Sequence, residues 1–85
     1  MARLCKLIDK LLRLPPEAKF SEVEAVLKEF GWALIRTKGS HRCFRRPDGA
    51  MFIVSTIKGR TVKTTYLKKL AETLKLEDYY EHNCR

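Results

Sequence analysis

The sequence has no apolar run approaching the 18 or more residues that span a bilayer as a helix, and its opening stretch MARLCKLIDKLLRL carries a charge every few residues. That stretch reads neither as a signal peptide nor as an anchor, so a cytoplasmic protein is expected. Cysteine is scarce: Cys5, Cys43 and Cys84 are an odd set, widely separated, without the C-x-x-C spacing of zinc or redox motifs. Structural thiols in a reducing compartment are the expectation. Histidine occurs only at His41 and His82. A metal site would have to join His82, Cys84 and distant Cys43, a spacing that matches no ligand pattern, so neither metal nor cofactor is expected. Internal repeats, low-complexity tracts and linkers are missing too. A chain of 85 residues then reads as one compact domain over 1–85 with a modest core, and an apolar fraction of 45% argues against disorder.

The centre of the chain is short of acid. Residues 36–69 hold ten Lys or Arg against Asp48 alone, a net +9, whereas the whole chain carries +8. A positive field concentrated in this way attracts polyanions, and nucleic acid is the leading candidate ligand. A basic surface that only keeps a small protein soluble has no need of such segregation.

Along the chain, Leu4, Leu7, Ile8 and Leu11 mark one face of a first helix within 1–14, ended by Pro15 and Pro16. Ser21 followed by Glu24 predicts a capping box, and Val23, Val26, Leu27 and Phe30 the buried stripe of a second helix closed by Gly31. Residues 32–38, 41–46 and 50–55 are short, rich in β-branched and aromatic side chains, and separated by the turn signals Gly39-Ser40 and Pro47-Asp48-Gly49. They predict an antiparallel meander. A basic loop with Lys58, Gly59 and Arg60 follows, then a helix burying Leu67, Leu70, Ala71 and Leu74, capped by Thr64 or Thr65. Residues 77–85 read as a polar tail in which Tyr79 and Tyr80 are the residues able to fold back on the core. The order helix, helix, three strands, helix suits an α+β domain with the helices against one face of a three-stranded antiparallel sheet and the other face free.

Chemistry and charge coincide in the segment T-K-G-S-H-R-C-F-R-R-P-D-G. His41 follows the Gly39-Ser40 turn among Arg36, Lys38, Arg42, Arg45 and Arg46. Imidazole titrates nearest neutral pH, so His41 suits removing a proton from a ribose 2′-hydroxyl or returning one to a leaving oxygen. The neighbouring cations would stabilise charge gathering on phosphorus. Lys58, Arg60 and Lys63 suit a phosphate clamp. Trp32 and Phe44 are expected in the core rather than stacking on bases. By strand alternation His41 and Cys43 share one face and Arg42 and Phe44 the other, which puts Phe44 inward and His41 outward. Three readings stay open on these residues: an RNA-cleaving enzyme, a double-stranded-RNA-binding module without catalysis, and a basic domain serving an acidic protein partner.

Over 11–74 the sequence resembles the HicA, or YcfA-like, toxin family. The carriers are the helix ending in Phe30-Gly31-Trp32, the block Lys38-Gly39-Ser40-His41, Phe44 followed by Pro47-Asp48-Gly49, and the basic loop before a final helix starting near Val62-Lys63. The resemblance implies a double-stranded-RNA-binding-domain-like fold, metal-independent cleavage of messenger RNA, His41 as the catalytic residue, and a cognate HicB-type antitoxin that blocks the active face. Many members have Pro and a second His after the third strand, where this chain reads Val54-Ser55-Thr56-Ile57-Lys58.

Overall fold

The computed structural model describes residues 2–85, with side chains from residue 3 onward. In order the elements are α1 (Ala2–Leu12), β1 (Glu17–Lys19), α2 (Phe20–Glu29), β2 (Ala33–Lys38), β3 (His41–Arg45), β4 (Met51–Ser55), β5 (Thr61–Lys63), α3 (Thr64–Leu74) and α4 (Leu76–Asn83). The architecture is α+β. Strands β2, β3 and β4 form the expected antiparallel meander in that spatial order, and its inner face carries Phe44, Phe52 and Val54, all buried. Against them pack the apolar stripes of the helices: Ile8 and Leu11 of α1, Val23, Val26 and Leu27 of α2, and Leu67, Leu70 and Leu74 of α3. Trp32 and Phe44 are both core residues, as alternation and size suggested.

The element order is richer than helix, helix, three strands, helix. β1 and β5 pair antiparallel, Glu17 opposite Lys63 and Lys19 opposite Thr61, making a second two-stranded sheet. Three residues on each side are too few to leave a periodic signal, and their partners lie more than forty residues apart. This small ladder staples the entry to α2 beside the entry to α3. The cap of α2 also moves: the helix begins at Phe20, and the Glu22 carboxylate accepts the Lys19 backbone N–H at 3.2 Å. Ser21 therefore lies inside the first turn rather than capping it. At α3 the flanking Lys63 makes no side-chain cap, and the Thr64 hydroxyl donates to the Pro15 carbonyl at 2.5 Å instead.

The segment read as a polar tail is helical. Lys75 takes a left-handed conformation, φ 52°, that breaks α3 from α4, and Leu76 and Tyr79 turn inward. Tyr79 meets Phe30 edge-on, with ring centroids 5.0 Å apart. α4 packs along α1, and Cys5 and Cys84 are joined in a disulfide with Cα atoms 5.5 Å apart. The expectation of three structural thiols is corrected here: sequence distance hid the pairing, because α1 and α4 are neighbours only in three dimensions. Lys10 adds a tie from α1 to α2, its ammonium 2.7 Å from the Glu22 carboxylate.

Candidate nucleic-acid interface

The position of His41 is set by the hairpin between β2 and β3. Gly39, at φ 58°, occupies the first place of a two-residue turn, where II′-type hairpins need a residue that tolerates positive φ. The Ser40 carbonyl accepts two hydrogen bonds from Thr56, one from its backbone N–H at 2.8 Å and one from its hydroxyl at 3.2 Å. His41 then begins β3, opposite Lys38 on one side and Ser55 on the other.

Cross-strand partners share a face. Lys38, His41 and Ser55 form one row of the outer face, Arg36, Cys43 and Ile53 the next, and Ala33, Arg45 and Met51 the third. The helices cover the opposite face, so His41 is exposed while Phe44 is fully buried. A shallow depression of about 200 Å³ is lined by Arg36, Lys38, His41, Cys43 and Ile53. Its floor is apolar and its rim cationic. Ile35 lies in a bulge between Leu34 and Arg36 and is 52% exposed, and on the outer face Met51 and Ile53 are about half exposed, at 51% and 52%. Two large apolar side chains, Met51 and Ile53, left to water on one sheet face make that face suited to a ligand or partner.

The cations grouped around His41 in the sequence are not all grouped in space. Arg36 and Lys38 are brought to the histidine. Arg45 shares its face but is four residues along β3, about 13 Å away at the usual strand rise. Arg42 lies on the opposite face, where its guanidinium donates to the Gly39 carbonyl at 2.8 Å, stacks over Phe20 at 5.5 Å, and packs so closely on Gly59 that a Cβ there would come within 3.2 Å of it. It thereby joins the His41 turn to the Lys58-Gly59-Arg60 turn. Arg46 sits at the far end of β3, paired with Asp48 at 2.7 Å and lying over Trp32 at 5.1 Å. Lys63, at the end of β5, lines a separate depression with Tyr66 and Lys69 of α3. One side-chain alternation along β3 separates Arg42 from His41, and length along β3 separates Arg46.

His82 is held on α4, its Nδ1 2.7 Å from the Asp78 carbonyl oxygen, and Cys84 is taken by Cys5, so the pair does not converge with Cys43. Two contributors escaped the sequence reading. Thr56, 6% exposed, anchors the turn from sixteen residues away, and no local pattern announces such a bond. Ser55 stands directly across from His41, a pairing that follows from register once the turn length is known.

A small basic α+β protein with an open, cationic sheet face around a solvent-facing histidine is the class that this fold and site define. Residues 20–76 match the family described as the HicA toxin of bacterial toxin–antitoxin. The chain belongs to the HicA toxin family, whose members are toxins of toxin–antitoxin systems and generally messenger-RNA interferases, and membership implies an antitoxin partner. The match takes in α2, the three-stranded sheet, β5 and α3; α1, β1 and all but the first residue of α4 lie outside it. No curated protein and no solved structure matches the chain. No helix among the described residues is long and apolar enough to cross a membrane.

Proposed function

We propose that this protein is the RNA-cleaving toxin of its module, a metal-independent endoribonuclease in which His41 is the general acid/base. The observation that carries the reading is the exposed imidazole on the open sheet face with Arg36 and Lys38 at the same depression, in a chain that belongs to the HicA toxin family. His41 takes the proton from a ribose 2′-hydroxyl, and the 2′-oxygen attacks the adjacent phosphorus. The bond from phosphorus to the 5′-oxygen breaks, leaving a 2′,3′-cyclic phosphate, and the imidazolium returns its proton through water to the leaving oxygen. Arg36 and Lys38 supply the positive charge that the crowded phosphorane needs, Arg by a bidentate contact and Lys as a point charge. Arg45 extends the same face for the flanking backbone.

The antitoxin of this module is a HicB-type protein that seats on the face carrying Met51 and Ile53. It presents acidic groups to Arg36, Lys38 and Arg45, and shuts His41 from RNA. A double-stranded-RNA-binding-domain-like arrangement, with the sheet on one side and helices on the other, suits both tasks. His41→Ala tests the reading: growth inhibition and cleavage of purified messenger RNA should vanish while the circular dichroism spectrum is unchanged, and wild-type cleavage should persist in excess EDTA. Undiminished cleavage by the variant would overturn the assignment.

A further inference from the structure

A second depression, of about 400 Å³, begins on the far side of Ser55 and is lined by Lys63, Thr65, Tyr66 and Lys69. We propose that it is a nucleotide subsite contiguous with His41, which takes the phosphate and base next to the cleaved linkage of a single-stranded RNA. The proposal rests on the ribonuclease reading above and names how the substrate strand is held.

Three observations carry it. The first is position. Ser55 is the register partner of His41, and residues opposed in this way have Cα atoms about 4.5–5.5 Å apart. β4 is an edge strand of its sheet, so among the described residues no further strand lies beyond Ser55, which itself lines the second depression. Its size falls within the roughly 300–1,000 Å³ of small-ligand sites.

The second is charge. No Asp or Glu lines this depression, whereas those between α1 and α2 and at the α3–α4 junction contain Glu29 and Glu72, respectively. Lys63 and Lys69 are exposed, and among the described residues neither is in an ion pair. Glu17 stands across from Lys63 in the β1–β5 ladder and lines the neighbouring depression with it but makes no ion pair to it, so both ammonium groups can still take a phosphate.

The third is Tyr66. Its half-buried ring is fixed in the wall, with the Lys69 ammonium 5.9 Å from its centroid. An aromatic ring beside a phosphate-binding cation is the pairing with which proteins hold unpaired nucleotides, since every base offers a π-face and every nucleotide a charge. The two depressions lie on either side of Ser55, so one ligand must bend over the strand edge to fill both. A single strand can do so with a base turned toward Tyr66; a paired duplex keeps its bases stacked inside.

The test uses the full chain and a mixed-sequence single-stranded RNA of about eight nucleotides with every 2′-hydroxyl methylated, which removes the attacking group. Lys63→Gln with Lys69→Gln should weaken binding and lower the slope of log affinity against log salt by about 0.7, the value for one lost phosphate contact on a single strand. Tyr66→Ala should weaken binding about 5-fold or more and leave the slope unchanged. In the wild-type protein, the amide resonances of Thr65 and Tyr66 should move when the oligonucleotide is added, a readout independent of how the variants fold. If the oligonucleotide binds, yet the variants match the wild type and those resonances stay still, the subsite is overturned while the ribonuclease reading stands. A wild-type protein that neither binds this probe nor cleaves RNA would overturn the underlying reading as well.

Discussion

Thr56 holds Ser40 from across the sheet, giving the Ser40 carbonyl both its backbone N–H and its hydroxyl, at 2.8 and 3.2 Å. The residue that follows this carbonyl is His41, so the clasp fixes where the imidazole leaves the hairpin. Thr56→Val keeps the backbone bond and nearly the same shape but deletes the hydroxyl. Equilibrium unfolding should show a loss of about 1 kcal/mol, the usual net worth of one such bond. Single-turnover cleavage should slow with little change in RNA affinity, because the loosened histidine is misplaced rather than the binding face. A variant that cleaves at the wild-type rate would show that the turn holds its shape without the hydroxyl.

The Cys5–Cys84 disulfide closes almost the whole chain into a loop, with a sequence separation of 79. Cross-linking so long a loop removes much unfolded-state entropy, about 4.5 kcal/mol in the chain-entropy account. Reduction, or Cys84→Ser, should lower the unfolding free energy by a figure of that order, and amide exchange should rise first in α4. A urea midpoint that is the same with and without reductant would show that the α1–α4 packing alone sets the stability.

The contrast between what the sequence disclosed and what it hid has a physical cause. Elements with their own period or punctuation were legible: the meander over 33–55 with its Gly39-Ser40 turn, the leucine stripe of α3, and Phe44 inward with His41 outward. What depends on distant partners was not. β1 and β5 exist only as each other's complement, the disulfide needs α1 and α4 side by side, and α4 looks like a polar tail because Leu76 is its one buried residue among those described, with Tyr79 and Tyr80 packed only partly against the core. At the site, the cluster of charge around His41 was legible, but its division between two faces follows from strand alternation and pairing that composition averages away.

Cys43 is the free cysteine among the described residues, and it lines the His41 depression. A bulky thiol reagent such as N-ethylmaleimide should attach there in the folded protein and abolish RNA cleavage by filling the depression. Cys43→Ser should remain active and become indifferent to the reagent. Full activity of the wild-type protein carrying one adduct, confirmed by mass spectrometry, would place the reacting phosphate elsewhere.

Carboxyls depressed in the folded state bias the acid limb of stability, Glu22 and Asp48 among them. The Lys10 ammonium, hydrogen-bonded to Glu22, holds that carboxyl below its ordinary 4.5. The Ala50 backbone N–H and then the Arg46 guanidinium do the same for Asp48 against 3.8. A carboxyl depressed in the folded state stabilises it above the unfolded pKa, and that contribution disappears as pH falls through the folded value. Stability should therefore decline below about pH 4.5, and Glu22→Gln should lower it at neutral pH while flattening the decline. An acid limb of unchanged steepness in the variant would remove Glu22 from the account.

Arg42 and His41 are sequence neighbours on opposite faces, and this separation makes the binding face testable. Arg42 is engaged inward with the Gly39 carbonyl, Phe20 and the Gly59 turn, whereas Arg36 and Lys38 line the His41 depression. Arg36→Ala and Lys38→Ala should each lower the salt slope of single-stranded RNA binding by about 0.7 and leave the unfolding midpoint nearly unchanged. Arg42→Ala should do the reverse, costing about 1–2 kcal/mol of stability through the lost hydrogen bond and stacking, with the slope preserved. Should Arg42→Ala flatten the salt dependence while Arg36→Ala and Lys38→Ala do not, RNA would lie on the helical face beside Lys58 and Arg60, and His41 would lose its claim to the reacting phosphate.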